Sequence, residues 1–172
     1  VEDLGNGLKA LFQYETTFYG DTGTYETGTT KGRDTFVGLT GGFGTVVAGN
    51  LTHPLRAFGA KVELTPGAAG FGTMSSVTGK IGSTATGADN RAQNAIAYVS
   101  PSFGGFSGTV AYVNGELEQV GANRAEQRAY QIAGQYENGP LFVGVGYHAA
   151  KNAASVDSDD ARIYRVAAVY TL

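Results

Sequence analysis

The sequence predicts an all-β fold in which antiparallel strands follow one another up and down. Three observations support this prediction: residue types alternate with a period of two, short turns alternate with long loops, and aromatic residues fall at two levels along the strands. The clearest example is segment 94–113, NAIAYVSPSFGGFSGTVAYV, whose two alternating arms are joined by the Pro/Gly turn PSFGG. This segment predicts a β-hairpin, and the rest of the chain repeats its pattern.

The same alternation predicts eight full strands and the stub of a ninth at Val1–Leu4. On the first full strand, Phe12 and Tyr14 share one face while Lys9 and Glu15 share the other. In chain order the predicted full strands are 7–17, 33–40, 43–49, the two arms of 94–113, 127–136, 141–149 and 161–172.

The connections between these strands alternate in length along the whole chain. Long polar segments at 18–32, 50–91, 114–126 and 150–160 are separated by the short turns within 41–42, 101–105 and 137–140. Successive strands of an up-and-down sheet run in opposite directions, so all long loops lie at one end of the sheet. Outer-membrane barrels have this arrangement, with short periplasmic turns and long extracellular loops. A water-soluble sandwich has no reason to sort its loops, so the pattern favours a transmembrane β-barrel.

Aromatic residues provide an independent test of this prediction. Three strands each carry two aromatic rings six residues apart, and the even offset places both rings on one face. Six residues span roughly 20 Å along a strand, or about 15 Å across a membrane after tilting, which fits an apolar band about 25 Å tall. Tyrosines in the core of a soluble sandwich would explain the shared face but not the two levels. We therefore predict a lipid-facing girdle of Tyr98, Phe106, Tyr112, Tyr130, Tyr136, Tyr147, Tyr164 and Tyr170.

The opposite faces of these strands are polar or small, as at Ser107, Thr109, Gln131 and Gln135. A water-filled lumen needs this mixture of side chains. An eight-stranded barrel packs its interior, whereas a barrel of about sixteen strands leaves a channel.

Composition excludes several classes of protein. Charged residues are 16% of the chain, and the net charge of −3 argues against a nucleic-acid partner. There is no Cys, so a disulfide framework or a thiolate metal site is excluded. The two histidines, His53 and His148, lie in distant segments and in no recognisable catalytic motif. We predict no metal site, no cofactor and no enzymatic activity.

Four segments together resemble the Gram-negative general porin family of β- and γ-proteobacteria. They are EDLGNGLKALFQYE at 2–15, GRDTFVGLTGGFGTVVAGN at 32–50, the hairpin at 94–113, and YQIAGQYENGPLFVGVGY at 130–147. The resemblance implies a homotrimer of sixteen-stranded barrels in the outer membrane of a Gram-negative bacterium, each a passive diffusion channel. Members of the family are longer, so we expect residues 1–172 to be one partial barrel domain, about half of a barrel and internal to a longer protein.

The resemblance also implies that residues 50–91 are the family's third extracellular loop, which folds inward and narrows the pore. Asn50, Ala97 and Val99 stand where the family often has charged residues. The residues expected to line the pore or its constriction are Lys9, Glu15, Arg33, Arg56, Lys61, Glu63, Lys80, Arg91 and Arg165.

The charges of this loop give an expectation about selectivity. Its four basic residues outnumber its two acidic ones, Glu63 and Asp89. Because rings of charge at a constriction select ions, we expect a mildly anion-selective channel for small hydrophilic solutes and ions. The alternative is a small, closed eight-stranded outer-membrane barrel that acts as an anchor or adhesin.

Overall fold

The computed structural model describes residues 1–25, 33–63, 88–120, 123–151 and 160–172. These residues form a nine-stranded antiparallel sheet, a separate two-stranded hairpin and one short helix. In chain order the elements are β1 (Glu2–Gly5), β2 (Leu8–Tyr14), β3 (Phe18–Tyr19), β4 (Thr24–Tyr25), β5 (Thr35–Gly41), β6 (Gly44–Thr52), α1 (Pro54–Gly59), β7 (Arg91–Val99), β8 (Phe106–Val120), β9 (Asn123–Asn138), β10 (Leu141–Lys151) and β11 (Ala161–Tyr170).

The sheet is an up-and-down meander. Its strand order is β1-β2-β5-β6-β7-β8-β9-β10-β11, and each strand pairs antiparallel with its neighbours in this order. This confirms the predicted all-β antiparallel class, and β1 is the predicted ninth strand. The described strands leave β1 and β11 as two open edges. A closed eight-stranded barrel would pair its first and last strands, so the fold does not agree with the alternative of a small closed barrel.

Short turns gather at one end of the sheet, as the sequence predicts. Asn6 and Gly7 join β1 to β2 with φ values of 53° and 77°. Two successive residues with positive φ are what a type I′ hairpin turn requires, and Asn-Gly is a favoured pair for it. The turns after β5, β7 and β9 are also short, whereas β2 and β5, β6 and β7, and β10 and β11 are joined by longer segments.

The prediction of a loop over residues 114–126 is wrong. β8 continues to Val120 and pairs with β9 as far as Val120↔Asn123, with a register shift between Asn114 and Leu117. β7 accompanies β8 only as far as Val113, so this hairpin extends beyond its neighbours. Backbone pairing does not require alternating apolar residues, which were the signal used to find strands.

Two other predicted loops also contain regular structure. Within 18–32, β3 pairs with β4 through Phe18↔Tyr25 and Tyr19↔Thr24. Within 50–91, β6 runs to Thr52 and α1 follows, with Pro54 at its first turn, where proline is favoured. A helix of six residues is too short to show helical periodicity in the sequence. No helix among the described residues has the length and hydropathy that crossing a membrane requires.

The two faces of the sheet differ in exposure. We call the face that carries α1 the inner face and the opposite one the outer face. On the outer face, Val110, Ile132, Val166 and Tyr170 are 45%, 57%, 74% and 63% exposed, respectively. A soluble sandwich would bury all four residues against a second layer. Their exposure favours the barrel prediction over the sandwich.

Candidate functional site

The helix α1 packs closely against the inner face because β10 presents glycines there. Leu55 and Phe58, on the buried side of α1, are 0% and 3% exposed. A Cβ atom added at Gly146 would lie 2.7 Å from Phe58 Cε1 and 2.9 Å from Leu55 Cδ1, and one at Gly144 would lie 2.9 Å from Phe58 Cδ2. These distances are too short for a real Cβ contact. Glycine at both positions therefore allows α1 to pack closely against β10.

Gln131 of β9 connects the segment between β6 and β7 to the sheet. Its side-chain Oε1 accepts a hydrogen bond from the Leu55 backbone N–H at 3.0 Å. Its Nε2 lies 2.9 Å from His53 Nδ1, 2.9 Å from His148 Nδ1 and 3.1 Å from the Ala88 carbonyl oxygen. Gln131, His53 and His148 are almost completely buried. Gln131 thus contacts the segment between β6 and β7 near its beginning, at Leu55, and near its end, at Ala88.

A buried ion pair makes the second connection. Arg165 of β11 donates to both carboxylate oxygens of Asp89, at 3.3 and 3.0 Å, and to the Leu55 carbonyl oxygen at 2.6 Å. The side chains of the two partners are 4% and 2% exposed. Arg56 Nη1 donates to the Asp89 carbonyl oxygen at 2.8 Å. This ion pair joins residue 89 to β11, and replacing either partner alone would be costly because a charge would stay buried.

Arg165 faces inward, as its position in the strand predicts, but it is covered by α1. Arg165 was predicted to line the pore or its constriction; its buried guanidinium donates to the Asp89 carboxylate and to the Leu55 carbonyl oxygen. Gln131 was not among the predicted site residues. Its isolated position among alanines on the inner face of β9, between Ala129 and Ala133, was the available signal for a buried polar contact.

Two further predicted residues form ion pairs. Lys61 pairs with Glu137, and its ammonium lies 4.8 Å from the centre of the Phe142 ring. Arg91, the first residue of β7, has its Nε atom 3.0 Å from Oδ1 of Asp34. Both cations are therefore neutralised locally by a carboxylate.

The remaining predicted pore residues are Arg33, Glu15, Lys9, Glu63 and Lys80. Arg33 Nε and Glu15 Oε2 are 3.3 Å apart and form an exposed pair. Lys9 is exposed on β2, opposite Thr40 of β5. Glu63 is half-buried, and Lys80 lies outside the described residues.

An open cavity of about 370 Å³ lies beside α1, bounded by the inner faces of β5 to β9. Phe36, Val47, Ala97 and Val99 contribute much of its largely apolar wall, and Thr109 adds a hydroxyl. The uncharged residues at 97 and 99 therefore border open space on the inner face.

The outer face carries the predicted aromatic residues, several of them as cross-strand pairs. Ring centres are 4.5 Å apart for Phe106 and Tyr136, and 4.9 Å apart for Tyr112 and Tyr130. The first pair lies near the short turns, and the second lies six residues farther along both strands. The same face carries Tyr98, Tyr147, Tyr164 and Tyr170, with Tyr147 and Tyr164 paired at 4.9 Å.

Comparisons with known proteins agree with this geometry. The model of the Gram-negative porin family matches residues 1–172. The chain is 33% identical over 169 residues to the major outer membrane protein P.IB of Neisseria gonorrhoeae, covering 92% of this chain and 42% of the relative. It is 35% identical over 158 residues to the outer membrane porin protein 32 of Delftia acidovorans, covering 89% of this chain and 43% of the relative.

A solved structure is also similar. The anion-selective porin from Comamonas acidovorans superposes with a TM-score of 0.77 at 28% identity, covering 98% of this chain and 51% of that one. This chain spans about half the length of the relatives it matches. Since the family model covers the whole chain, the chain belongs to the Gram-negative porin family.

Proposed function

We propose that this chain forms about half of a barrel in the outer membrane of a Gram-negative bacterium, and that the barrel is a passive channel for small hydrophilic solutes and ions. The observation that carries this proposal is the contrast between the two faces. The outer face exposes apolar and aromatic side chains, whereas the inner face bears α1 on small and polar residues. An outer face of this kind suits lipid, and an inner face of this kind suits a lumen narrowed by a folded-in loop.

The complete barrel closes the edges that β1 and β11 leave open. An open edge in the hydrocarbon region leaves backbone N–H and C=O groups without partners, which lipid does not tolerate. We therefore propose further strands that bring the barrel to about sixteen in all, as in large porins. As in the porin family, we propose that three such barrels form a homotrimer. Residues 50–91 serve as its constriction loop, and α1, Ala88 and Asp89 in this loop contact β9 or β11.

A mild preference for anions follows from the ion pairs. Four predicted pore cations each contact a carboxylate: Arg33, Lys61, Arg91 and Arg165. Among the described pore cations, Arg56 contacts only a neutral carbonyl oxygen and Lys9 has no ion pair. Arg56 and Lys9 are thus two pore cations that no ion pair within the described residues joins to a carboxylate, and against Glu63 they leave a weak excess of positive charge that favours anions. The name of the Comamonas relative, an anion-selective porin, supports the same sign.

Reversal potentials in a salt gradient test this proposal. The complete porin containing this chain is reconstituted in planar bilayers, and we expect stepwise conductance with a modest anion preference. Arg56→Gln should lower the ratio of anion to cation permeability towards unity. Arg162→Gln is the matched control, because it removes the same charge from an exposed position on the outer face of β11 and should leave the ratio unchanged.

A clear cation preference in the unmodified porin would contradict the proposed anion preference. Absence of any stepwise conductance from the complete, folded porin would contradict the channel itself.

A further inference from the structure

Three basic residues lie together on the outer face, at the end of the sheet that carries the long loops. Lys151 of β10 is directly opposite Arg128 of β9, and Arg162 of β11 is opposite Ala149, two residues before Lys151. Lys151 and Arg162 are exposed, and Arg128 is half-buried. Among the described side chains of the sheet, no other cation lies on this face. We call these three residues the basic cluster.

The basic cluster lies just beyond the upper level of the aromatic girdle. Arg128 is two residues from Tyr130, and Arg162 is two residues from Tyr164, in each case on the same face and towards the long loops. Two residues span about 7 Å along a strand. The headgroup layer on each side of the hydrocarbon is about 5–7 Å deep. With the rings at the edge of the hydrocarbon, the cations are therefore at the level of the lipid headgroups.

The basic cluster also has an excess of positive charge. Within the part of the chain that the structure describes, no ion pair joins Lys151 or Arg162 to a carboxylate. Asp160, the residue before β11, is the described carboxylate next to the cluster in sequence. Three cations and one carboxylate leave an excess of two positive charges. Because like charges directly opposite each other destabilise a sheet, an anion bound between the strands would stabilise this region.

We propose that the basic cluster binds the phosphate of a lipid phosphomonoester, in the leaflet next to the long loops. A phosphomonoester carries about two negative charges at neutral pH and three acceptor oxygens. It therefore matches both the excess charge and the three donor side chains, and Arg and Lys both bind phosphate. The inference rests on the proposed placement of the outer face in lipid, but not on conduction through the lumen.

A lipid suits this site better than free phosphate because the apolar surface continues below it. Ile132 and Val166, on the same face of β9 and β11, are 57% and 74% exposed. The acyl chains of a lipid whose headgroup is bound at the cluster would cover such side chains. Free phosphate would contact the cations alone.

Fluorescence quenching in lipid vesicles tests the proposal. The complete porin, without other cysteines, carries a fluorophore at A149C, because Ala149 lies opposite both Tyr130 and Arg162 on the outer face. The phosphatidylcholine vesicles contain increasing fractions of spin-labelled phosphatidic acid, a phosphomonoester, or of spin-labelled phosphatidylglycerol, a phosphodiester. We expect half-maximal quenching at an about fivefold lower fraction of phosphatidic acid, the effect of one additional charge contact at the membrane surface.

The double variant K151Q/R162Q is the decisive comparison. We expect the two lipids to quench it equally, whereas K151R/R162K keeps both charges and should retain the preference. Lys9→Gln is the matched control, because it removes a cation from the inner face and should change neither quenching curve. A fluorophore at A168C, on the outer face of β11 near the short turns, should show no preference between the lipids.

The outcomes separate this proposal from the channel. Normal insertion and lipid preference without stepwise conductance would contradict the channel alone. Equal quenching of the unmodified porin by both lipids, or a preference that K151Q/R162Q retains, would contradict lipid binding by the cluster. Relief of quenching by inorganic phosphate at constant ionic strength would overturn the proposal in favour of free phosphate. Loss of trimers in K151Q/R162Q with unchanged quenching would overturn it in favour of a contact between subunits.

Discussion

The outer and inner faces of β9, β10 and β11 are built from the same strands but follow different rules. On the outer face, Ile132 and Val166 are more than half exposed, so neighbouring side chains place little restriction on the size of the residue at either position. On the inner face, Gly144 and Gly146 lie under α1 with no space for a Cβ atom. The comparison indicates that the outer face is constrained by polarity, whereas the inner face is constrained by size and hydrogen bonding.

The largest expected effect is at Arg165, on the inner face. Arg165→Met removes the guanidinium that donates to the buried Asp89 carboxylate and to the Leu55 carbonyl oxygen. We expect the free energy of unfolding of the complete porin to fall by about 3–5 kcal/mol, measured by urea unfolding from lipid vesicles. The double variant R165M/D89L should recover much of this loss, because it removes both charges. A loss below about 1 kcal/mol, the range of a surface pair, would contradict a buried ion pair.

The next effect is at the adjacent residue, on the opposite face. Val166→Arg should cost about 2–4 kcal/mol, the penalty for a basic side chain near the bilayer midplane. Val166→Leu is the control and should change the free energy of unfolding by less than about 0.5 kcal/mol. The same lipid-vesicle assay measures both variants. Equal stability of the Arg and Leu variants would show that this face does not meet hydrocarbon.

A smaller effect is expected from a single methyl group placed on each face. Gly146→Ala should cost about 1–3 kcal/mol through overpacking against Phe58 and Leu55. The control is Gly134→Ala on the outer face, where an added Cβ atom would lie 3.8 Å from Val145 Cγ2, an ordinary contact distance. It should be neutral or slightly stabilising. A similar loss in the free energy of unfolding at both positions would contradict the claim that α1 requires glycine beneath it.

The smallest effect is expected in the aromatic pairs. Tyr112→Leu keeps an apolar side chain on the outer face but removes the ring contact with Tyr130. We expect a loss of about 0.5–1.5 kcal/mol in the free energy of unfolding. Tyr112→Phe retains the ring and serves as the control. If the Leu variant is as stable as the Phe variant, the paired rings contribute only burial.

The sequence predicted those features of the fold that repeat along the chain. Alternation with a period of two assigned residues such as Ile132 and Gln131 to opposite faces, and the turn residues located the short connections. These signals are local, so they can be read without knowing which strands pair.

The missed features depend on contacts between distant segments. The six-residue helix α1 is held by Gln131 and Arg165, which follow it by more than seventy residues, and no local pattern records that contact. The continuation of β8 and β9 through a polar segment was missed for a different reason. This pairing is local, but backbone pairing does not depend on the apolar side chains that were used to find strands.

The central claim is that adjacent residues of one strand face water and lipid in turn. Labelling of single cysteines tests it most directly, and residues 1–172 contain no native cysteine. Thr109 borders the inner cavity, whereas Val110, the next residue, is exposed on the outer face. In the complete porin in lipid vesicles, we predict that T109C reacts with a charged, membrane-impermeant thiol reagent and that V110C reacts only with a lipid-soluble one. The reverse pattern, or equal reaction of both cysteines with the charged reagent, would contradict the account.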